Sequence, residues 1–256
     1  MTKDLKKPEG IAHCTHYAFM PNQLHFCGPE NQADILEFYE NINEKRVNRS
    51  IQSLLQKFET MYPYLQLIAV ANGIKNPFDT KIVEAYWLGN EYLENVPVRY
   101  FFNHLLNALK IKKRLGFKKF QKFARDFAVG SLPHHNFHVM NIFQRTGRIP
   151  DAHTLSTMDA CRISWGEVKK IDKHSLVVKT RPLQIDNAGN IYEGDFIEKS
   201  ILNQIDRVPL IKEIKEGDFV SFHWGAVCEK IDELQLANLK KYTSLSILAV
   251  NNQHNI

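Results

Sequence analysis

DACRISWGEVKKIDKHSLVVKT, Asp159–Thr180, is the stretch from which the rest of the chain is read. Its second half alternates apolar and polar residues and is rich in β-branched side chains, Val168, Ile171, Val177 and Val178, around a polar turn at Asp172-Lys173. Alternation with period two marks half-buried strands. Its first half holds Cys161, one of four cysteines, at the change from a helix-rich to a strand-rich texture. A thiol there is either a small buried hydrophobe or a ligand.

Upstream, apolar residues recur at helical spacing. A short amphipathic helix is expected over 32–42, with Ile35, Leu36 and Phe38. RVNRSIQSLLQKFETMY, 46–62, places Val47, Ile51, Leu54, Leu55 and Phe58 on one stripe. Pro63 is expected to break or re-aim that helix, and Gly73 to stop its continuation. Further helices are expected after Pro77, carrying Ile82, Val83, Tyr86 and Trp87, and after Pro97, carrying Phe101, Phe102, Leu105, Leu106 and Leu109. Downstream, GDFVSFHWGAVCEKID (217–232) reads as a turn at Gly217-Asp218 followed by a strand. DELQLANLKKY (232–242) reads as a short helix with Asp232 as N-cap and Glu233 in its first turn. The fold class is therefore α+β: an α-helical domain over 1–155 and a small β domain over 156–256.

The chain's 256 residues are 44% apolar and 24% charged, the balance of a globular protein with a substantial core rather than a disordered one. A net charge of +5 permits an acidic partner but does not demand one. No stretch reaches the ~18–20 apolar residues that span a bilayer. MTKDLKKPEG at the amino terminus has no apolar region after its basic start, unlike a secretory signal. Cys14, Cys27, Cys161 and Cys228 form no CxxC pair, which points to reduced thiols in a cytoplasm.

Three groups of residues carry chemistry. LPHHNFHVMNIF, 132–143, opens with Pro133, suited to a first helical turn. On a helix His134 and His138 are i,i+4 neighbours and His135 and His138 are i,i+3, and either spacing can place two imidazoles on one metal. The zincin signature needs Glu directly after the first His, and none is present. His13, His16 and Cys27 form a weaker set, whose bland reading is a thiol buried at a tight Cys27-Gly28-Pro29 turn. Lys110 to Arg125 is the most basic run, interleaved with Ile111, Leu115, Phe117, Phe120 and Phe123 as in an amphipathic hairpin with a solvated basic face. It suits an acidic protein better than nucleic acid, because no nucleic-acid module accompanies it. G-x-S-x-G, G-x-x-x-x-G-K-[ST] and G-x-G-x-x-G are all absent.

The pattern C-R-I-S-W-G-E-V (161–168) followed by G-D-F-V-S-F-H-W-G-A-V-C-E-K-I-D (217–232) resembles the small chaperones of nickel–iron hydrogenase assembly, the HypC/HupF family. Cys161, Gly166 and Val168 fall in register with that family's first motif; Gly217, Asp218, Val220, His223, Gly225 and Asp232 fall in register with its second. The resemblance covers about 159–245 and implies a small β-barrel of the oligonucleotide/oligosaccharide-binding (OB) type. It implies that Cys161 is an iron-binding thiolate with His223 as its polar neighbour, the iron carrying cyanide and carbonyl ligands, and that a larger metal-centre assembly protein is the partner. Trp165 stands where that family has proline, Cys161 is internal, and the stretch around Asn187 to Gln204 reads as an insertion. The whole chain also resembles an uncharacterised bacterial family of this two-part layout.

Two functional classes follow. The first is metal-centre assembly or carriage, not itself an enzyme, with iron on Cys161 and His223 and with His134, His135 and His138 to complete or gate the site. The second is a metal-dependent or acid–base enzyme whose pocket lies in the helical domain at His134, His135, His138 and Cys27, the barrel serving as lid or docking module. An adaptor that uses the basic run is a third.

Overall fold

The computed structural model describes residues 9–30, 33–34, 49–127, 131–142, 154–205 and 208–254. Helix α1 (Glu9–Gln23) is followed by α2 (Arg49–Leu55), α3 (Met61–Ala71), α4 (Thr80–Trp87), α5 (Val98–Asn107), α6 (Ile111–Leu115) and α7 (Phe117–Asp126). Next come a single turn α8 (His135–Phe137), which runs into a π-turn (His138–Ile142), and α9 (Leu155–Cys161). Strands β1 (Ser164–Ile171), β2 (Ser175–Thr180), β3 (Leu183–Ile185), β4 (Ile191–Glu193), β5 (Ile197–Leu202), β6 (Gln204–Ile205), β7 (Val208–Pro209), β8 (Phe219–His223) and β9 (Ala226–Ile231) lead into the terminal helix α10 (Glu233–His254).

Several boundaries follow their local chemistry. Asp79 caps α4 by accepting from the Lys81 amide at 3.0 Å, and Pro97 immediately precedes α5. Asp232 accepts from the Gln235 amide at 2.8 Å while the Gln235 side chain accepts from the Asp232 amide at 3.1 Å, a reciprocal capping box. The helix it opens runs 22 residues, longer than the short helix expected, because it packs along α8 and the π-turn. Pro63 does not break its helix. It occupies the first turn of α3, where its missing N–H has no intrahelical partner to lose, and the chain breaks instead between Leu55 and Met61. The helix expected over 32–42 falls almost wholly outside the described residues.

Five strands pair in the order β1-β2-β5-β9-β8, and β8 pairs back onto β1. All the pairs are antiparallel except β5 with β9, a parallel contact at Leu202↔Ala226. The stretch around 187–204, expected as an insertion, instead supplies β5, one of these five strands. Its length and patterning were obscured by the small β3–β4 hairpin before it. The β8–β9 hairpin turns at Trp224-Gly225, both with positive φ (50° and 74°), the geometry whose twist matches flanking strands.

Val168, Leu176, Val178, Ile201, Val220, Phe222 and Val227 fill the space enclosed by the strands. The largest apolar cluster crosses the expected 155/156 boundary, joining helical residues such as Tyr17, Leu65 and Trp87 to Ile163, Cys228, Ile231 and Tyr242. Helix α1 lies against β8 and β9, and α10 lies against α8, so the helices pack directly on the sheet beside the strands' own apolar interior. No helix among the described residues is long and apolar enough to cross a membrane.

Candidate metal centre

Three chain segments meet at Cys161. Helix α9 opens with a capping box between Thr154 and Thr157 and ends at Cys161, and Arg162 then turns extended (φ −64°, ψ 148°) to enter β1. The end of α9 is fastened on both sides. Asn136, fully buried, accepts from the Ile163 amide at 2.7 Å and donates to the Ile163 carbonyl at 3.0 Å and to Thr243 Oγ1 at 2.8 Å. The Trp224 amide, next to His223, donates to the Ala160 carbonyl at 2.8 Å. These bonds draw His135, Cys161 and His223 together from α8, α9 and β8.

One ring nitrogen of His135, one of His223 and the Cys161 sulfur lie within 4.8 Å of one another, all on buried residues. His223 Nδ1 donates to the Tyr17 carbonyl at 2.8 Å. That bond fixes the proton on Nδ1 and leaves the lone pair on Nε2, which makes no hydrogen bond of normal geometry with the described residues. His135 Nε2 donates to the Cys161 carbonyl at 2.9 Å, and Nδ1 accepts from the Tyr86 hydroxyl at 3.2 Å. Binding a metal through His135 replaces one of these two bonds. Burial drives both imidazoles neutral. It lowers the His223 pKa to about 4, against a smaller opposing pull from the Tyr17 and Cys161 carbonyls. It lowers that of His135 well below the ordinary value, with the neighbouring His223 adding to the effect. Neutral imidazole is the ligand form.

Aromatic rings wall the site. Trp87 lies 4.7 Å from His135 and 5.9 Å from His223, ring centre to ring centre, and stacks on Tyr17 at 5.0 Å. A pocket of about 580 Å³, open mouth included, lies in front of the three donors and takes in His138 and Cys27 as well.

The remaining expected residues fall elsewhere or play other parts. The helix expected to align His134, His135 and His138 is one turn of α-helix that passes into a π-turn at His138; His135 and His138 both line the pocket and His134 does not. His134 is not at the site. It caps α8, its Nδ1 accepting from the Asn136 amide at 3.1 Å, and stacks on Tyr242 at 5.7 Å. Gly89 makes room there: at φ +91° it backs onto Tyr242, whose ring a Cβ would meet at 2.0 Å. Burial lowers the His134 pKa to about 3. His138 lines the pocket but bonds through Nδ1 to the Tyr64 hydroxyl at 3.0 Å. Cys27, half-buried, lines the same pocket, so the set His13, His16 and Cys27 is divided. His13 faces Glu229 at 3.5 Å, and His16 donates to the Cys228 carbonyl at 2.9 Å. Cys14 and Cys228 are fully buried thiols. Burial pushes Cys14 up to about 12 and Cys228 well above its ordinary value.

Arg162, next to Cys161 in the chain, is a buried strut. Its guanidinium pairs with Asp159 at 2.9 Å and Glu193 at 3.4 Å, donates to the Arg181 carbonyl and lies over Trp165 at 5.7 Å. Asn136 and Tyr17 hold the site together without being candidates by residue type. Asn136 stands inside the histidine cluster, and polar residues in an otherwise apolar run were the available signal. Nothing local marks Tyr17, whose carbonyl reaches His223 across 206 positions.

One thiolate and two imidazoles form a donor set suited to zinc, iron or another borderline first-row metal. Over residues 6–255 the chain matches a family of unknown function, DUF6390, and it belongs to that family. Neither a curated protein nor a solved structure matches it.

Proposed function

We propose that this member of the DUF6390 family is a metal-centre protein that holds a first-row transition ion, iron in the leading reading, on Cys161, His223 and His135. One observation carries the reading: three soft or borderline donors from three separate segments converge within 4.8 Å in the interior. Burying a polar group without a partner is costly, and the His223 Nε2 lone pair is such a group. A metal ion would satisfy it.

The likeness to the hydrogenase-assembly chaperones is supported by sheet order. With β1, β2, β5, β8 and β9 counted as strands one to five, the order is 1-2-3-5-4, closing through a parallel pair between the third and fifth. That is the arrangement of an OB-type barrel, and Cys161 and His223 lie just before its first strand and at the end of its fourth. In this reading the protein carries or assembles an iron centre for a larger partner, and the helical layer contributes His135 as a ligand. Tyr17 and Tyr86 orient the two imidazoles, and Trp87 excludes water.

The second reading is a metal-dependent enzyme in the same place. Three protein ligands leave a fourth position open, as catalytic sites do, and here a pocket lies in front of it. Its site combines helical and sheet residues rather than the helical histidines alone.

Elemental analysis and infrared spectroscopy of anaerobically purified protein test both readings. Carriage predicts iron lost from Cys161→Ala, with cyanide or carbonyl bands when the protein is made beside its assembly partner. An enzyme predicts a metal retained by the wild type without such bands. Metal-free wild type, after anaerobic purification and supplementation, overturns both.

A further inference from the structure

We infer, resting on the metal-site reading above, that the open coordination position takes a small ligand with a single donor atom and an uncharged, apolar body. Besides the three donors the pocket is lined chiefly by the buried apolar side chains of Ala18, Pro21, Phe58, Met61, Trp87 and Val139; of its other polar lining, the Tyr86 hydroxyl and His138 Nδ1 are already bonded, to His135 and Tyr64. Among the described residues no Lys, Arg, Asp or Glu lines the pocket. The buried guanidinium of Arg162 is taken up by Asp159 and Glu193 and does not reach the wall.

A ligand tail that bears a charge would shed its water on entering and meet no counter-charge, whereas every buried methylene gains from leaving water. The donor atom itself is different. A divalent ion on one thiolate and two neutral imidazoles keeps a net positive charge, so an anionic donor such as a thiolate or hydroxide is balanced at the metal. The pocket therefore sorts ligands by their tails and leaves the donor atom to the metal. Thr60, half-buried, also lines the pocket and makes no side-chain cap bond to α3, so a larger side chain there narrows the pocket without removing a helix cap.

Cobalt(II) is the probe, because its sulfur charge-transfer band reports Cys161 and its visible bands report the number of ligands. The full chain loaded with cobalt(II) is titrated with 1-propanethiol, 3-mercaptopropionate and cysteamine, which share a thiol donor and differ in the charge of the tail. The expected result is a change in the visible bands with 1-propanethiol at a concentration about tenfold or more below that needed for either charged thiol. In Thr60→Phe the 1-propanethiol response is expected to need a concentration about tenfold higher, and the charge-transfer band shows whether that variant still holds its site. Equal responses to the three thiols, or a preference for a charged tail, overturn the inference while leaving the metal site standing. Cobalt that does not bind, or that binds Cys161→Ala equally well, overturns the metal-site reading and the inference with it.

Discussion

Helix α1 touches two groups of histidines that read alike in sequence and differ in chemistry: it carries His13 and His16, and its Tyr17 carbonyl holds His223. On one side His13 faces the Glu229 carboxylate and His16 donates to a carbonyl. On the other, His223 and His135 stand with Cys161 in the interior. Tyr17 belongs to both: its hydroxyl bonds to Ser221 at 2.8 Å and to Glu229, while its carbonyl holds His223. Each imidazole in the first group is matched by an acceptor, and His13 is 39% exposed, so water competes for it. In the second group burial removes the imidazolium protons and leaves one lone pair, on His223 Nε2, without a hydrogen bond beside the thiol, while that of His135 is held by Tyr86. Residue type makes a candidate ligand; the surroundings decide whether its lone pair is available.

The contrast is broken most directly at the thiol. Cys161→Ala is expected to lower metal affinity by more than the roughly ten- to hundredfold that loss of an outer partner costs, whereas Cys14→Ala is expected to keep the metal; competition with a chelator measures both. Replacing Arg162 by Met takes the buried guanidinium from Glu193 and Asp159, the latter keeping the Leu183 amide and Lys199, and is expected to cost about 3 kcal/mol in denaturant unfolding, the lower end for breaking a buried ion pair. Asn136→Ala leaves the Ile163 amide and carbonyl unbonded in the interior, at about 2–3 kcal/mol. It should also weaken metal binding, since Asn136 fastens α8 to the end of α9.

Acid sharpens the contrast. The pKa values of His223 and His134 fall from 6.5 to about 4 and about 3. Between those values the unfolded chain binds more protons than the folded one. The stability contributed by these neutral imidazoles is complete above about pH 6.5 and is lost as the pH falls through 4 and then 3, each histidine contributing a slope of up to ~1.4 kcal/mol per pH unit. Thermal melts from pH 7 to 4 should fall steadily, and replacing His134 with Asn should flatten the curve. The smallest effect belongs to the exposed side: His13→Ala should change stability by no more than about 1 kcal/mol and leave the metal content unchanged.

Much of the fold was legible because it depends on short-range patterns. Proline and glycine positions bounded α4 and α5, alternation marked β1 and β2, and Asp232 marked the start of α10. The misreadings have local causes too. Pro63 looks like a breaker until its place in the first helical turn is known, and β5 is short and half-exposed, so it lacks a clear apolar period. At the site, Cys161, His223 and His135 were all named from the sequence. The same reasoning also named His134, His138, Cys27, His13 and His16, and sequence spacing could not separate the two sets.

By itself, then, the sequence determined the inventory: α+β texture, the change near Asp159, four dispersed cysteines, and two histidine-rich segments. Those properties are set by neighbours within a turn or a strand. Tertiary structure alone decided which donors meet, because that depends on contacts such as Asn136 with Ile163 and Tyr17 with His223, 27 and 206 positions apart. It alone decided their protonation as well, because an imidazole is stripped of its charge by the depth at which the packed chain places it, and depth is a property of the whole core.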